Sequence, residues 1–166
     1  MKTAIYYASN TGNTEYIAQK ISKQLGDIAL VDIAVDGISS MQEKDKLILG
    51  LSTWGDGELQ DEWDEVWEEL KSMDFSDKTI ALFGLGDQED YAYNYSDAMG
   101  IAYEELEKSG AKIIGKTVVT DEYCYEESRA VVDGEFVGLA IDEDNQSELT
   151  DERVTNWCES IKKDIL

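Results

Sequence analysis

The sequence predicts an α/β protein in which helices cover both faces of a parallel sheet. Strand-like apolar runs and amphipathic helical patterns alternate five times along the 166 residues, and this alternation is typical of doubly wound parallel sheets. Several runs, such as residues 47–51, are continuously apolar, which suits strands buried on both faces. The length fits one domain covering residues 1–166.

The order of the elements follows from the position of each pattern. Strand-like runs cover residues 3–8, 28–34, 46–53, 79–84 and 112–119, and a single helical turn is expected near residues 39–43. Residues 120–146 are predicted to be irregular, with an apolar run at 136–141. Gly110 is expected to end the third long helix and Thr150 to cap the last one. Apolar positions at helical spacing mark four long helices: Ile17, Ala18, Ile21 and Leu25; Trp63, Val66, Trp67 and Leu70; Met99, Ala102, Tyr103 and Leu106; and Val154, Trp157, Cys158, Ile161 and Ile165.

The charge balance is strongly acidic, with 14 basic and 37 acidic residues, a net charge of −23 and no histidine. Such a surface repels nucleic acid and anionic membranes and attracts basic protein surfaces. A generic solubilising surface would have the same composition. The absence of histidine excludes any catalytic or metal site that needs an imidazole.

The cysteines and the amino terminus favour a cytoplasmic protein with reduced thiols. Cys124 and Cys158 have neither metal-ligand nor redox spacing. The apolar run in residues 1–5 is too short for a secretory signal. No stretch approaches the roughly 18 apolar residues of a transmembrane helix.

A polar loop follows the first predicted strand and leads directly into the first helix. It consists of Ser9, Asn10, Thr11, Gly12, Asn13 and Thr14. Backbone N–H groups and the helix dipole favour an anion at such a position. The loop lacks the lysine of triphosphate-binding loops and the glycines of the dinucleotide fingerprint. It therefore suits a phosphate held by hydrogen bonds, although a polar turn with a helix cap and no ligand would look the same.

Two further loops are predicted at the same edge of the sheet, because parallel strands bring their carboxyl ends together. The loop after the third strand carries Trp54 between polar residues, and the loop after the fourth carries Tyr91, Tyr93 and Tyr95 among carboxylates. A phosphorylated planar heterocycle would use these parts, with its ring stacked on aromatic side chains. Ordinary core or rim aromatics are the alternative interpretation.

These motifs together resemble the flavodoxin family over the whole chain. Residues 9–14 are similar to its phosphate loop, residues 53–60 to its second flavin loop, and Gly86, Asp87, Tyr91 and Asn94 to its third. Residues 120–123 and 134–146 resemble the loop that splits the fifth strand in long-chain members. The resemblance implies strand order 2-1-3-4-5, and flavodoxin is itself a standard example of that order.

The resemblance also implies bound FMN. Residues Ser9, Asn10, Thr11, Asn13 and Thr14 would hold its phosphate, Trp54 and Tyr91 would cover the two faces of the flavin, residues 55–57 would pass its N5 edge, and Asp87 would contact the pyrimidine side. The full set of cofactor-binding residues that we expect is Ser9, Asn10, Thr11, Gly12, Asn13, Thr14, Thr53, Trp54, Gly55, Asp56, Gly57, Leu85, Gly86, Asp87, Tyr91 and Asn94.

The implied function is electron transfer and not catalysis on a substrate. The protein would be a low-potential one-electron carrier, a monomer that shuttles electrons between redox proteins with basic docking surfaces. Carboxylates at Asp56, Glu58, Asp87, Glu89 and Asp90 would disfavour an anionic reduced flavin and so lower the second, semiquinone-to-hydroquinone potential. A quinone or azo reductase on the same fold, a phosphoacceptor signalling domain and a partner-binding module are the alternatives. No catalytic residue and no metal ligand is expected.

Overall fold

The computed structural model describes residues 3–166 and contains the expected parallel sheet. Its main strands are β1 (Thr3–Tyr7), β2 (Ala29–Asp32), β3 (Lys46–Trp54), β5 (Thr79–Leu85) and β10 (Leu139–Ile141). They follow the order β2-β1-β3-β5-β10, which is the predicted order 2-1-3-4-5, and all four neighbouring pairs are parallel. The two-residue β4 (Glu58–Leu59) pairs antiparallel with the end of β3.

Two separate strands occupy the fifth position of the sheet. The strand β6 (Lys112–Ile114) pairs with the first half of β5, and β10 pairs with its second half. Residues 115–138, which we call the insertion, leave the sheet between them. The insertion contains β7 (Thr117–Val118), β8 (Val131–Val132) and β9 (Glu135–Phe136) in a small antiparallel sheet. The split fifth strand was therefore predicted correctly.

The predicted strand over residues 112–119 is too long. Strand β6 ends at Ile114, and Gly115 has a φ of 83°. A Cβ at Gly115 would lie 2.8 Å from Nε1 of Trp157, whose indole donates to the Gly115 carbonyl at 2.8 Å. The chain turns away at this close contact, and residues 117 and 118 join the antiparallel sheet instead.

The helices cover both faces of the sheet. The long ones are α1 (Asn13–Gln24), α3 (Asp61–Lys71), α4 (Asp97–Lys108) and α5 (Thr150–Ile165), and shorter turns are α2 (Ile33–Asp36) and the 3₁₀ segments Ser39–Glu43 and Ser147–Leu149. One apolar core lies under α3 and α4, and a second lies under α1 and α5. Successive residues of β1 alternate between these cores, which explains why the central strands are apolar without interruption.

Three helix ends show which residues begin or end a helix in this fold. Gly110 ends α4 with a φ of 84°, as expected. The second predicted strand stops at Asp32, because its carboxylate accepts the Ala34 N–H and starts α2. The prediction that Thr150 caps α5 is wrong. The preceding 3₁₀ turn runs directly into the helix, so Thr150 already has helical φ and ψ of −61° and −49°, whereas a cap residue has an extended backbone.

Cys124 is exposed and Cys158 is buried, and both are free thiols. Burial raises the pKa of the Cys158 thiol to about 12, and the charge of Glu159 adds to the shift. Within residues 3–166, the helices are too short or too polar to cross a bilayer.

Candidate functional site

A cavity of about 280 Å³ opens beyond the carboxyl ends of β1, β3 and β5. Most of the predicted site residues line it, namely Asn10, Thr11, Asn13, Thr14, Thr53, Trp54, Gly55, Leu85, Gly86, Asp87, Tyr91 and Asn94. Ser9, Gly12, Asp56 and Gly57 belong to the same loops but do not line the cavity. Ser52, Glu143 and Asp144 line it without having been predicted.

The first loop (residues 9–14) forms one end of the cavity. Gly12 has a φ of 91°, and its N–H donates to the Ser9 hydroxyl at 3.0 Å while its carbonyl accepts from Tyr16 N–H at 3.0 Å. The Ser9 hydroxyl thus helps to close the loop. The N–H groups of the first turn of α1 have no intrahelical acceptor, and the lining side chains beside them carry hydroxyl or amide groups.

Gln60 holds this loop in place through a hydrogen bond to Asn10. Gln60 was not predicted from the sequence as a residue of the site. Its side chain is fully buried, and its amide donates to Asn10 Oδ1 at 2.7 Å. Its carbonyl oxygen accepts from the N–H groups of Glu62 and Trp63 at 3.0 and 3.3 Å, so it also caps α3. A polar residue before an acidic first turn is a cap signal, but its contact with Asn10 is visible only in the fold.

The second loop (residues 53–58) presents Trp54 to the cavity. The indole is 40% exposed, and its N–H donates to the Ser52 hydroxyl at 2.8 Å. Gly55 has a φ of 53°, a backbone conformation that favours glycine. Gly57 has a φ of 89°, which also favours glycine. A side chain is disfavoured there for a second reason, because a Cβ would lie 2.5 Å from Asp97 Oδ2.

The third loop (residues 86–94) presents Tyr91, which is 49% exposed. Asp87 organises the loop, since its Oδ1 accepts from the N–H groups of Glu89 and Asp90 at 3.0 and 2.9 Å and from the Asn145 amide at 2.7 Å. Burial alone would raise the pKa of Asp87, but these hydrogen bonds outweigh it and the pKa is lowered. Asn94 ties this loop to the second one by donating to the Asp56 carbonyl at 3.2 Å.

The remaining wall of the cavity is acidic. Glu143 and Asp144 follow β10, and Oε1 of Glu143 is buried with no hydrogen-bond partner among residues 3–166. The pKa of Asp144 is raised, first by burial and then by the charges of Asp87, Asp142 and Asp90. None of the described residues that line the cavity is basic. The acidic run of residues 142–144 is visible in the sequence, but its approach to the cavity depends on the split strand.

The fold and the site define an α/β protein with a ligand cavity at the switch point of its sheet. Amide and hydroxyl groups form one end of the cavity, and the exposed aromatic residues Trp54 and Tyr91 line another part of it. Residues 5–157 match the family model described as Flavodoxin. Flavodoxin 1 of Escherichia coli K12 is 47% identical over 166 residues, with 98% of this chain and 94% of the relative covered.

Other relatives agree over the full length. A flavodoxin of Picosynechococcus is 45% identical over 164 residues, which cover 97% of this chain and 96% of the relative. The structure of a Fusobacterium nucleatum flavodoxin bound to flavin mononucleotide is 34% identical, with a TM-score of 0.93 and all of both chains covered. The chain belongs to the flavodoxin family. It is therefore an electron-transfer protein and not an enzyme, and a quinone or azo reductase is not favoured.

Proposed function

We propose that this chain, an FMN-based electron carrier, binds FMN without a covalent bond in the cavity formed by its three loops. One observation carries the proposal: a single cavity joins a cation-free cradle of N–H and hydroxyl groups to the exposed rings of Trp54 and Tyr91. A phosphate suits the first part and a flavin ring the second. The Fusobacterium nucleatum relative was solved with flavin mononucleotide bound.

Each part of the cavity suits a different part of the cofactor. The first loop would hold the phosphate through backbone N–H groups and through the side chains of Thr11, Asn13 and Thr14. Trp54 and Tyr91 would cover the ring, and the backbone of residues 86 and 87 would contact its edge. The unpartnered Oε1 of Glu143 can accept a hydrogen bond from a hydroxyl group, which suits the ribityl chain.

When bound, FMN supplies the reversible uptake and release of electrons. The protein orients it and sets the energy of reduction. The carboxylates of Asp87, Glu143 and Asp144 place negative charge at the cavity wall, and so they oppose the arrival of further negative charge there. We infer that they keep the reduction potential low and that electrons are transferred one at a time.

The partners of a flavodoxin are redox proteins, and we propose that those of this chain dock through basic surfaces. The net charge of −23 supports this proposal, because complementary charge accelerates encounter. The same charge disfavours nucleic acid. We further propose that the carrier is a monomer, because the half-exposed Trp54 and Tyr91 must stay accessible to successive partners. We also propose that it is a single-domain, cytoplasmic protein.

Binding of FMN and of riboflavin to the apoprotein tests the site assignment. We expect FMN to bind with 1:1 stoichiometry and riboflavin, which lacks the phosphate, to bind at least about tenfold more weakly. Thr11→Ala should weaken FMN binding and leave riboflavin binding unchanged. No uptake of FMN, or equal affinity for the two flavins, would contradict the assignment.

A further inference from the structure

A buried hydrogen-bond network behind the cavity wall centres on Asp142. Asp142 follows β10 directly and is 0% exposed. Its carboxylate accepts from the backbone and side-chain nitrogens of Gln88 at 3.1 and 2.9 Å, and from the backbone nitrogen of Asn145 at 3.0 Å. The Asn145 amide donates to both of its oxygens. The ion pairs within residues 3–166 involve other carboxylates, so N–H donors and not a cation hold this charge.

The network extends to the third loop of the cavity. Gln88 lies in that loop, three residues before Tyr91, and Asn145 donates to Asp87 at 2.7 Å with the same amide group that contacts Asp142. The Gly86 N–H donates to the Ile141 carbonyl at 3.1 Å. The first three residues of the third loop are therefore bonded to β10 and the residues that follow it.

The network also extends to the insertion. The side-chain carbonyl of Gln88 accepts from Cys124 N–H at 2.7 Å, and its amide donates to Gln146 Oε1 at 2.9 Å as well as to Asp142. Gln146 in turn donates to the Glu122 carbonyl at 2.6 Å. Gln88 is 1% exposed, and its one side chain thus contacts both Asp142 and the backbone of the insertion.

We propose that Asp142 is a positioning residue. The hydrogen bonds that it accepts couple the fixed conformation of the insertion to the affinity of the cavity for FMN. By fixing Gln88 and Asn145, it holds the third loop in place and attaches the insertion to that loop. The proposal rests on FMN binding as proposed above. A carboxylate suits the role because it only accepts hydrogen bonds. An asparagine of the same shape would turn an NH₂ group toward N–H donors.

Amide hydrogen exchange of the apoprotein tests the coupling without the cofactor. In Asp142→Asn, we expect the amides of Gln88 and Cys124 to exchange at least about tenfold faster, because each loses its fixed acceptor. The amides of β3 should exchange as in the wild type. The matched control is Asp133→Asn, the same charge change in an exposed turn of the insertion with a φ of 53°. Unchanged exchange at Gln88 and Cys124 would overturn the proposal.

The dissociation constant of FMN provides the second measurement. We expect it to rise about tenfold or more in Asp142→Asn and to stay unchanged in Asp133→Asn. Faster exchange with an unchanged dissociation constant would overturn the coupling. A wild-type protein that binds no FMN would contradict the FMN site instead, and the exchange measurement would still decide the role of Asp142.

A second variant covers the case in which Asp142→Asn does not fold. Gln146 is partly exposed and connects Gln88 to the Glu122 carbonyl. In Gln146→Ala, we expect the amides of residues 122–124 to exchange about threefold faster, with a smaller loss of FMN affinity. Exchange and affinity equal to those of the wild type would overturn the proposal.

Discussion

Trp54 shows how much of the site depends on the support of single side chains. Its indole N–H donates to the hydroxyl of Ser52, two residues back on the same strand, and both residues line the cavity. Gln60 supports the first loop in the same way through Asn10. The Trp54 indole and the Asn10 amide, which we propose contact FMN, are thus held in place before FMN binds, and this reduces the ordering cost of binding.

Trp54→Ala should weaken FMN binding by roughly 10- to 100-fold. Stacking of a heterocycle on an aromatic ring contributes about 1–3 kcal/mol, and about 1.4 kcal/mol corresponds to a factor of ten. Quenching of flavin fluorescence on titration of the apoprotein gives the dissociation constant. The matched control is Tyr93→Ala, since Tyr93 is 64% exposed and lies outside the cavity wall. Equal affinities for the two variants would contradict the role of Trp54.

Cys158 makes stability depend on alkaline pH. Its thiol has a pKa of about 12 in the folded protein, against an ordinary value of 9.0. The unfolded chain therefore loses this proton at a lower pH than the folded chain does. The stabilisation is complete below pH 9 and is lost as the pH rises toward 12.

The free energy of unfolding should fall over this range, and less steeply in Cys158→Ala. Urea denaturation at a series of pH values measures the difference. Because Tyr123 also has a pKa raised to about 12 by burial, some decline should remain in the variant. An identical slope for the two proteins would show that Cys158 does not contribute.

At the scale of elements, the insertion packs closely on α4. A Cβ at Gly100 would lie 2.4 Å from the carbonyl oxygen of Arg129, which is backbone of the insertion. The Arg129 N–H donates to Asp97 at 2.7 Å, and Glu127 accepts from Tyr95 N–H at 3.2 Å. The insertion is therefore attached to α4 as well as to the third loop.

Gly100→Ala should lower the free energy of unfolding by about 1–3 kcal/mol. Alanine is favoured over glycine in a helix by roughly 1 kcal/mol, but overlap with backbone atoms cannot be relieved by a rotamer change and costs more. Urea denaturation measures the balance. Lys108→Ala, at an exposed position of the same helix, should stay within about 0.5 kcal/mol of the wild type. A higher free energy of unfolding for Gly100→Ala would contradict the close packing of the insertion on α4.

The sequence was sufficient for local and periodic features and insufficient for contacts between distant segments. The alternation of strands and helices and the three loops were predicted from the residue patterns, because apolar periodicity and loop chemistry are local. The strand order and the split fifth strand were predicted from the resemblance to flavodoxins. Residues Gln60, Glu143 and Asp144 were missed, since they reach the cavity only through distant segments of the fold. The end of β6 was missed for the same reason, because Trp157 on α5 determines it.

At the scale of the whole molecule, the net charge of −23 is expected to direct encounters with other proteins. The chain has 37 acidic and 14 basic residues. The acidic character extends to the cavity, whose wall includes Asp87, Glu143 and Asp144. We therefore expect a basic partner to be attracted toward the side of the molecule that carries the proposed FMN site. Such attraction raises association rates more than it raises affinity.

Electron transfer to a basic redox protein should slow steeply as salt increases. The Debye length falls from about 30 Å at 0.01 M to about 8 Å at 0.15 M ionic strength, so we expect the second-order rate constant to fall about tenfold or more. Stopped-flow absorbance measures this rate. Reduction by a small uncharged dye is the control and should change little. A flat salt profile with the basic partner would contradict electrostatic docking.

A stepwise anaerobic reduction of the FMN-loaded protein, followed by visible absorption, tests the central claim most directly. If FMN lies between Trp54 and Tyr91 in the carboxylate-lined cavity, as we propose, the protein should take up two electrons in two separate one-electron steps. We predict that the second step occurs at the lower potential, because the acidic wall opposes the added charge. A single two-electron step would contradict the account of this chain as a one-electron carrier.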